Sequence, residues 1–268
     1  MSNVLTMTGP GAGLSQRSMP GHWILARLGK RVLRPGGMEL TRRMLAALTI
    51  VSADDVVEFA PGLGLTAQLA LKRRPASYTA VERDPTAAGI VRSYLKDSMQ
   101  KCVRGSADQT GLPSEVATVV YGEAMLTMQT PEMKRRIVRE ARRLLKRGGR
   151  YAIHEMCLVG DDLDEGSRKE INQALSRAIH VGVRPLSVSE WRGLMEAEGF
   201  EVEVEARGPM HLLEPNRLLS DEGVKAALRF VWNIVRNRRS RKRVLIMRKV
   251  FRRYQSNLAA IIMICVKR

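Results

Sequence analysis

Aromatic residues are scarce in this 268-residue chain, at 4%. That scarcity argues against a base-stacking platform for single-stranded nucleic acid. Cysteine is scarce as well. Cys102, Cys157 and Cys265 lie far apart, with neither CxxC spacing nor a pairing pattern. No metal site and no disulfide framework is expected, and a reducing, cytoplasmic setting is. Each cysteine reads as a small buried hydrophobe. No apolar run approaches the roughly 18–20 residues of a membrane-spanning helix. The longest, Leu258 to Val266, reads as a buried strand. The first twenty residues show no basic segment followed by an apolar one, so a secretory signal is not expected; they read as an unpatterned leader. The last absence is the most lopsided: after Glu222 there is no acidic residue.

What is present fits one domain with an elaboration. Hydrophobic residues make up 44% of the chain and charged residues 27%, enough for a core and an ordinary surface. The net charge of +18 is not ordinary. It implies attraction to something anionic: nucleic acid, an acidic membrane surface or anionic substrates. Residues 229–253 alone hold eleven Lys and Arg, so much of the excess belongs to one late segment.

Periodicity divides the chain. Residues 22–35 predict a helix, stopped by Pro35-Gly36-Gly37, and residues 38–49 a second. A strand–helix alternation follows: strands at Val56–Phe59, Tyr78–Glu82, Cys102–Ser106, Ala117–Tyr121 and Tyr151–Leu158, with helices at Leu65–Arg73, from Pro85 to about Gln100, and Pro131–Lys146, the last closed by Gly148-Gly149. Such alternation predicts a parallel sheet with helices on both faces and a ligand site at the carboxyl ends of its strands. Further helices are expected at Asp161–Val181 and Ser187–Gly199, a half-exposed strand at Phe200–Ala206, and very basic helices over 216–257, broken by a solvated turn at Asn237–Lys242. The expected organisation is a leader and lid helix (1–37), an α/β core (38–215), a basic helical insertion (216–257) and a final strand (258–268).

The turn Ala60-Pro61-Gly62-Leu63-Gly64 follows a strand and opens a helix. Glycines there let backbone approach a ligand, and the helix N-terminus offers unpaired N–H groups. Glu58, two residues before the turn, would repel a pyrophosphate and welcome an ammonium. Glu82 ends the second strand, where a carboxylate can accept both ribose hydroxyls. Asp108 follows the third strand and is placed to accept from an adenine amino group. A NAD-binding reading also suits the spacing from Gly62 to Glu82, with Glu58 against it.

Together these residues resemble the class I S-adenosylmethionine (SAM)-dependent methyltransferases, in their small-molecule, ubiquinone-methyltransferase-like branch. The resemblance covers roughly residues 40–160 and the terminal strand. It implies a Rossmann-like seven-stranded, mostly parallel sheet with an antiparallel last strand, and SAM as cofactor. It places Glu58 near the methionine amino group, Gly62 and Gly64 beside the cofactor, Glu82 at the ribose, Ala107 and Asp108 at the adenine, and Glu123 where cofactor meets substrate, with Ala60 and Arg83 as further cofactor-binding residues. One departure stands out: Ala60 occupies the position of the family's usual first glycine.

Methyl transfer from a sulfonium needs alignment more than catalytic groups. His22, His154 and Glu123 are the catalytic candidates, with either histidine a potential general base; lining a pocket or capping a lid is the plainer role. The Asp/Asn-Pro-Pro-aromatic run of amino-methylating nucleic-acid enzymes is missing, since Tyr121-Gly-Glu-Ala-Met125 stands in its place, and no Pro-Cys nucleophile occurs. A small or medium, apolar metabolite is the expected acceptor, with Met125, Met128 and Met156 as candidate pocket walls. For the basic segment, contact with an anionic membrane, contact with RNA, and an ordinary lid or homodimer element all stay open.

Overall fold

The computed structural model describes Gly11, Leu14, Ser15, residues 18–160 and residues 163–268. Most of the leader therefore lies outside the described residues. Among the described residues, eight strands form one sheet: β1 Asp55–Phe59, β2 Ser77–Glu82, β3 Gln100–Arg104, β4 Ala117–Glu123, β5 Leu145–Leu158, β6 Leu186–Ser187, β7 Phe200–Pro209 and β8 Leu258–Lys267. The order is β3-β2-β1-β4-β5-β8-β7, with the two-residue β6 pairing beside β5. Every pairing among β1 to β5 is parallel, and β8 runs antiparallel to both β5 and β7. The chain switches direction between β1 and β4. Ligands of such sheets sit at that switch point.

Among the described residues, ten helices surround the sheet: α1 Gly21–Arg27, α2 Gly37–Leu48, α3 Leu65–Leu71, α4 Pro85–Arg92, α5 Pro131–Leu144, α6 Glu165–Ile179, α7 Val188–Ala197, α8 Pro215–Glu222, α9 Val224–Arg236 and α10 Arg238–Arg253. Their starts follow local chemistry. Asp84 caps α4 by accepting from the Thr86 and Ala87 amides, with Pro85 at the first turn. Ser187 and Glu190 form a reciprocal capping box on α7.

Strand alternation sorts the core into layers. Val56, Tyr78, Val119, Tyr121 and Ala152 face α2, α3 and α4. Val57, Phe59, Val120 and Ile153 face α5 and α7. A third cluster caps the carboxyl end of β5, where Met156 and Leu158 meet α1, α6, α9 and α10.

Several expected boundaries moved. The first helix stops at Arg27, not near 35, because Gly29 turns the chain at φ +102°. Leu28 and Val32 are nevertheless buried, so the periodicity marked burial rather than a continuous helix. α4 ends at Arg92, well short of Gln100. Gly148 and Gly149 lie inside β5 instead of closing α5. α6 starts at Glu165, capped by Asp164; Asp161, its expected start, lies outside the described residues. The expected turn at 237–242 contracts to Asn237. Its side chain accepts from the Ser240 amide, making Arg238–Lys242 the first turns of α10.

Candidate functional site

The glycine turn adopts left-handed backbone at three of its five residues. Ala60 sits at φ +49°, Gly62 at +56° and Gly64 at +69°. A Cβ on Gly64 would meet the Tyr94 ring at 2.8 Å, whereas one on Gly62 would meet nothing within 4 Å. Gly64 is thus glycine for packing as well as conformation, and Gly62 faces open space. The Ala60 amide donates to the Val81 carbonyl at 2.9 Å, which ties the turn to β2.

Glu82 joins the turn to the end of β2. Its Oε2 accepts from the Gly62 amide at 3.0 Å and its Oε1 from the Asp84 amide at 2.9 Å. Burial raises its pKa above the ordinary carboxylate value, and the backbone amides only partly oppose this. A carboxylate has about four acceptor positions, so each oxygen keeps room for a further donor. Arg83 next to it is exposed.

Glu58 is buried on the α2 side of the sheet. Tyr78 and Tyr121 both donate their hydroxyls to its Oε2, Tyr121 at 2.7 Å; Oε1 takes neither. Tyr121 is its register partner on β4. Burial pushes the Glu58 carboxyl up to about 7, the tyrosines pull down, and the nearby Glu123 carboxylate pushes up again.

Glu123, at the end of β4, has the opposite character. Arg34 Nη1 donates to it at 2.8 Å, Thr41 Oγ1 at 2.6 Å, and Thr66 Oγ1 also bonds it. His154 Nδ1, its register partner on β5, lies 2.7 Å away. Burial would raise its pKa, but Arg34, His154 and Thr41 outweigh that and hold the carboxyl down at about 2. One carboxylate therefore gathers the loop before α2, α2 itself, α3, β4 and β5. His154 is fully buried, and its Nε2 lies 2.6 Å from the Pro35 carbonyl. Both ring nitrogens face acceptor oxygens, so neither is open to a substrate proton.

Asp108 lies past β3, in a turn closed by a bridge between Ser106 and Gln109. Ser106 Oγ donates to its Oδ1 at 2.5 Å, and Arg136 of α5 pairs with its Oδ2 at 2.6 Å. Ala107 is buried. His22 lies in α1 against Trp23, ring centroids 4.6 Å apart; burial lowers its pKa to about 4. The leader touches the same region: the Gly11 amide donates to Asp84 Oδ2 at 3.2 Å, and Arg27 donates to the Gly11 carbonyl at 3.0 Å. Met125 and Met156 belong to different apolar clusters and share no single wall, and Met128 is half-buried.

Sequence reasoning missed Arg34, Thr41, Thr66 and Glu155. The fully buried Glu155 accepts the amides of Met125, Leu126 and Thr127 and the Thr127 hydroxyl, between 2.7 and 3.0 Å, and so shapes the loop after β4. A carboxylate in the mostly apolar stretch Tyr151–Leu158 was the available signal for Glu155. Nothing local marked Arg34.

The donor set fits SAM. An open glycine cradle, a strand-end carboxylate with spare acceptor positions and a buried acid with a free oxygen are what its amino-acid part and ribose require. Comparison with known proteins agrees. A methyltransferase-domain family profile matches residues 57–153. An uncharacterised protein of Haemophilus influenzae is 32% identical over 230 residues, 84% of this chain and 90% of that protein. Among solved structures, the MccD protein superposes with a TM-score of 0.69 at 16% identity, covering 88% of this chain and 99% of that one. Phosphoethanolamine N-methyltransferase 2 of Haemonchus contortus, in complex with phosphomonomethylethanolamine and S-adenosylhomocysteine, superposes with a TM-score of 0.69 at 14% identity, covering 92% of this chain and 57% of that one. The sheet order and these matches agree: residues 57–153 form a methyltransferase domain, and the chain has the fold of the class I SAM-dependent methyltransferases.

Proposed function

We propose that this protein transfers a methyl group from SAM to a small or medium-sized apolar metabolite by an in-line displacement. The observation that carries the reading is the open space at Gly62 beside the Glu82 carboxylate, which accepts the Gly62 amide. Glu82 would accept the two ribose hydroxyls, with its backbone donors keeping the carboxylate oriented. Glu58 Oε1 would accept from the amino group, directly or through water. Asp108 would accept from the adenine amino group, sharing its oxygens with Ser106 and Arg136. The bound cofactor supplies an electrophilic methyl group.

The apolar cap supports the acceptor class. Met19, Ile24, Leu25, Met156, Leu158, Phe230 and their neighbours form a cluster at the carboxyl end of β5, beside the polar layer of Glu123 and His154. An acceptor entering there meets hydrocarbon on one side and the cofactor on the other. Of the two candidate histidines, His154 has both nitrogens engaged, and burial lowers the His22 pKa to about 4, which makes that ring a weak base; alignment rather than proton removal carries the transfer. Glu123 acts as a positioning residue rather than a base, since its lone pairs are filled by four donors.

Calorimetry with S-adenosylhomocysteine tests the cofactor half. Micromolar binding by wild type is expected; failure to bind in folded protein would sink the proposal. A panel of lipophilic and of charged metabolites with radiolabelled SAM tests the acceptor half. Labelling confined to charged acceptors would refute the apolar class while leaving methyl transfer intact.

A further inference from the structure

Helix α9 turns an apolar stripe outward. Val224, Leu228, Val231, Trp232 and Val235 recur at i, i+4, i+7, i+8 and i+11, within roughly 100° of arc on an α-helix. All five are exposed, Leu228 at 65% and Trp232 at 58%. The opposite face holds the helix in place. Ala227 and Phe230 are buried, Phe230 packs in the cluster with Met156, and Asn233 Nδ2 donates to the Leu28 carbonyl at 2.9 Å. The stripe is therefore spare apolar surface on a helix already anchored, and a contiguous patch of this kind marks an interaction site.

Cations border it. Lys225, Arg229 and Arg236 lie along one edge at about 100–140° on the same helical wheel, and the Arg236 guanidinium sits 5.5 Å from the centroid of Trp232. After Asn237 alone, α10 continues with exposed Arg238, Arg239 and Lys242. The pairs that do form in this part of the chain use Glu214 and Glu170 with Arg248, Arg252 and Arg253. Among the described residues, Lys225, Arg229, Arg236, Arg238, Arg239 and Lys242 form no salt bridge with a carboxylate. Residues 223–268 hold no acidic residue.

We propose that this face docks onto an anionic lipid bilayer, with Trp232, Leu228 and the valines entering the headgroup–acyl boundary and the bordering Lys and Arg meeting anionic headgroups. The stripe and the charge together select this occupant. RNA phosphates would use the cations and leave the stripe in water. A second copy of the chain would bring like charges against each other. Docking this face would set the outer surface of the cap on the bilayer, with Phe230 linking it inward to the apolar cluster at β5. The proposal stands on the surface alone and does not depend on methyl transfer.

The test uses the full chain with phosphatidylcholine vesicles and with vesicles carrying about 30 mol% phosphatidylserine, a composition that gives the bilayer a negative surface potential. Co-sedimentation should favour the anionic vesicles at least about tenfold, fall as salt rises, and be accompanied by a blue shift of tryptophan fluorescence. Each cation near such a surface is worth about fivefold in partitioning, so Lys225→Gln/Arg229→Gln/Arg236→Gln should weaken binding by about a hundredfold. Leu228→Ser/Trp232→Ser should abolish the blue shift and most of the binding, with unchanged thermal unfolding and S-adenosylhomocysteine affinity. Three results would overturn the proposal: no preference for anionic vesicles at ordinary salt, vesicle binding indifferent to Leu228 and Trp232, or a solution dimer that only the Leu228/Trp232 variant dissociates. RNA binding that survives that variant, without vesicle binding, would reassign the charge to nucleic acid and overturn it too.

Discussion

The carboxyl ends of β1 and β2 and those of β4 and β5 lie side by side in one sheet, and each pair carries buried acids. Glu82 is held by two backbone amides beside an open glycine, and Glu58 by two tyrosines on one oxygen. Glu123 is filled by Arg34, Thr41, Thr66 and His154 from elements distant in sequence. The same residue type near the end of a strand thus keeps acceptor positions open on one side of the switch point, as the proposed cofactor site needs, and is a filled latch on the other. What decides is whether donors from elsewhere in the fold reach it first.

The strongest challenge to this contrast is Glu123→Ala. Removing one partner of a buried ion pair leaves Arg34 uncompensated and typically costs about 3–5 kcal/mol. Chemical denaturation should show a loss of that order, with Glu123→Gln intermediate. A variant of near wild-type stability that fails to bind S-adenosylhomocysteine would mean that Glu123 is a ligand group after all.

Titration gives the next test, because the two acids run in opposite directions. Glu58 is raised to about 7, so the folded state holds its proton more tightly than the unfolded chain. Its contribution is complete below the ordinary value of 4.5 and is lost as pH rises through about 7. Glu123, lowered to about 2, contributes above 4.5 and loses its effect as pH falls towards 2. Between about pH 5 and pH 8 the slope due to Glu58 should dominate this pair. Wild type should lose stability across that range, and Glu58→Gln should be flatter. Because a cofactor ammonium favours the ionised carboxylate, binding S-adenosylhomocysteine near neutral pH should release protons from wild type and fewer from Glu58→Gln. Calorimetry in buffers of different ionisation heat measures this.

What was legible follows the same division. The acids at 58, 82 and 108 could be singled out because each lies at, or a few residues past, the end of a strand recognisable from its own few residues. The latch could not, because Arg34 lies in a stretch whose apolar periodicity predicts helix while Gly29 turns it into loop. Periodicity reports which side chains are buried, and Leu28 and Val32 are buried without being helical. Asn237 misled in reverse: a charge-rich run reads as a solvated turn, yet one cap bond to Ser240 starts a helix there. The pairing of Asp108 with Arg136 joins β3 to α5 across the fold, and no local pattern announces it.

On the open side, Glu82→Ala should weaken S-adenosylhomocysteine binding by at least about a hundredfold, since it removes the proposed acceptor of two ribose hydroxyls and hydrogen bonds to charged groups are worth about 1.5–3 kcal/mol each. Stability should fall by less than with Glu123→Ala, because the Gly62 and Asp84 amides can turn to water. Equal losses of stability in the two variants would erase the contrast between binding group and latch.

The smallest expected effect concerns Ala60, the residue in the place of the family's first glycine. Its φ of +49° is left-handed backbone, which costs an L-residue roughly 1–2 kcal/mol. Glycine removes that cost but brings about 0.5–1 kcal/mol of extra unfolded-state entropy. It also gives up the methyl that packs against Phe59, Val81 and their neighbours in the α5-side cluster. The three terms nearly cancel, so Ala60→Gly should change stability by less than about 1 kcal/mol and S-adenosylhomocysteine affinity by less than about threefold. Ala60→Val should do worse on both counts, since a β-branched side chain tolerates positive φ poorly. An Ala60→Gly variant that binds about tenfold tighter would show that the alanine methyl crowds the cofactor, and that the open side is narrower at its entrance than Gly62 alone suggests.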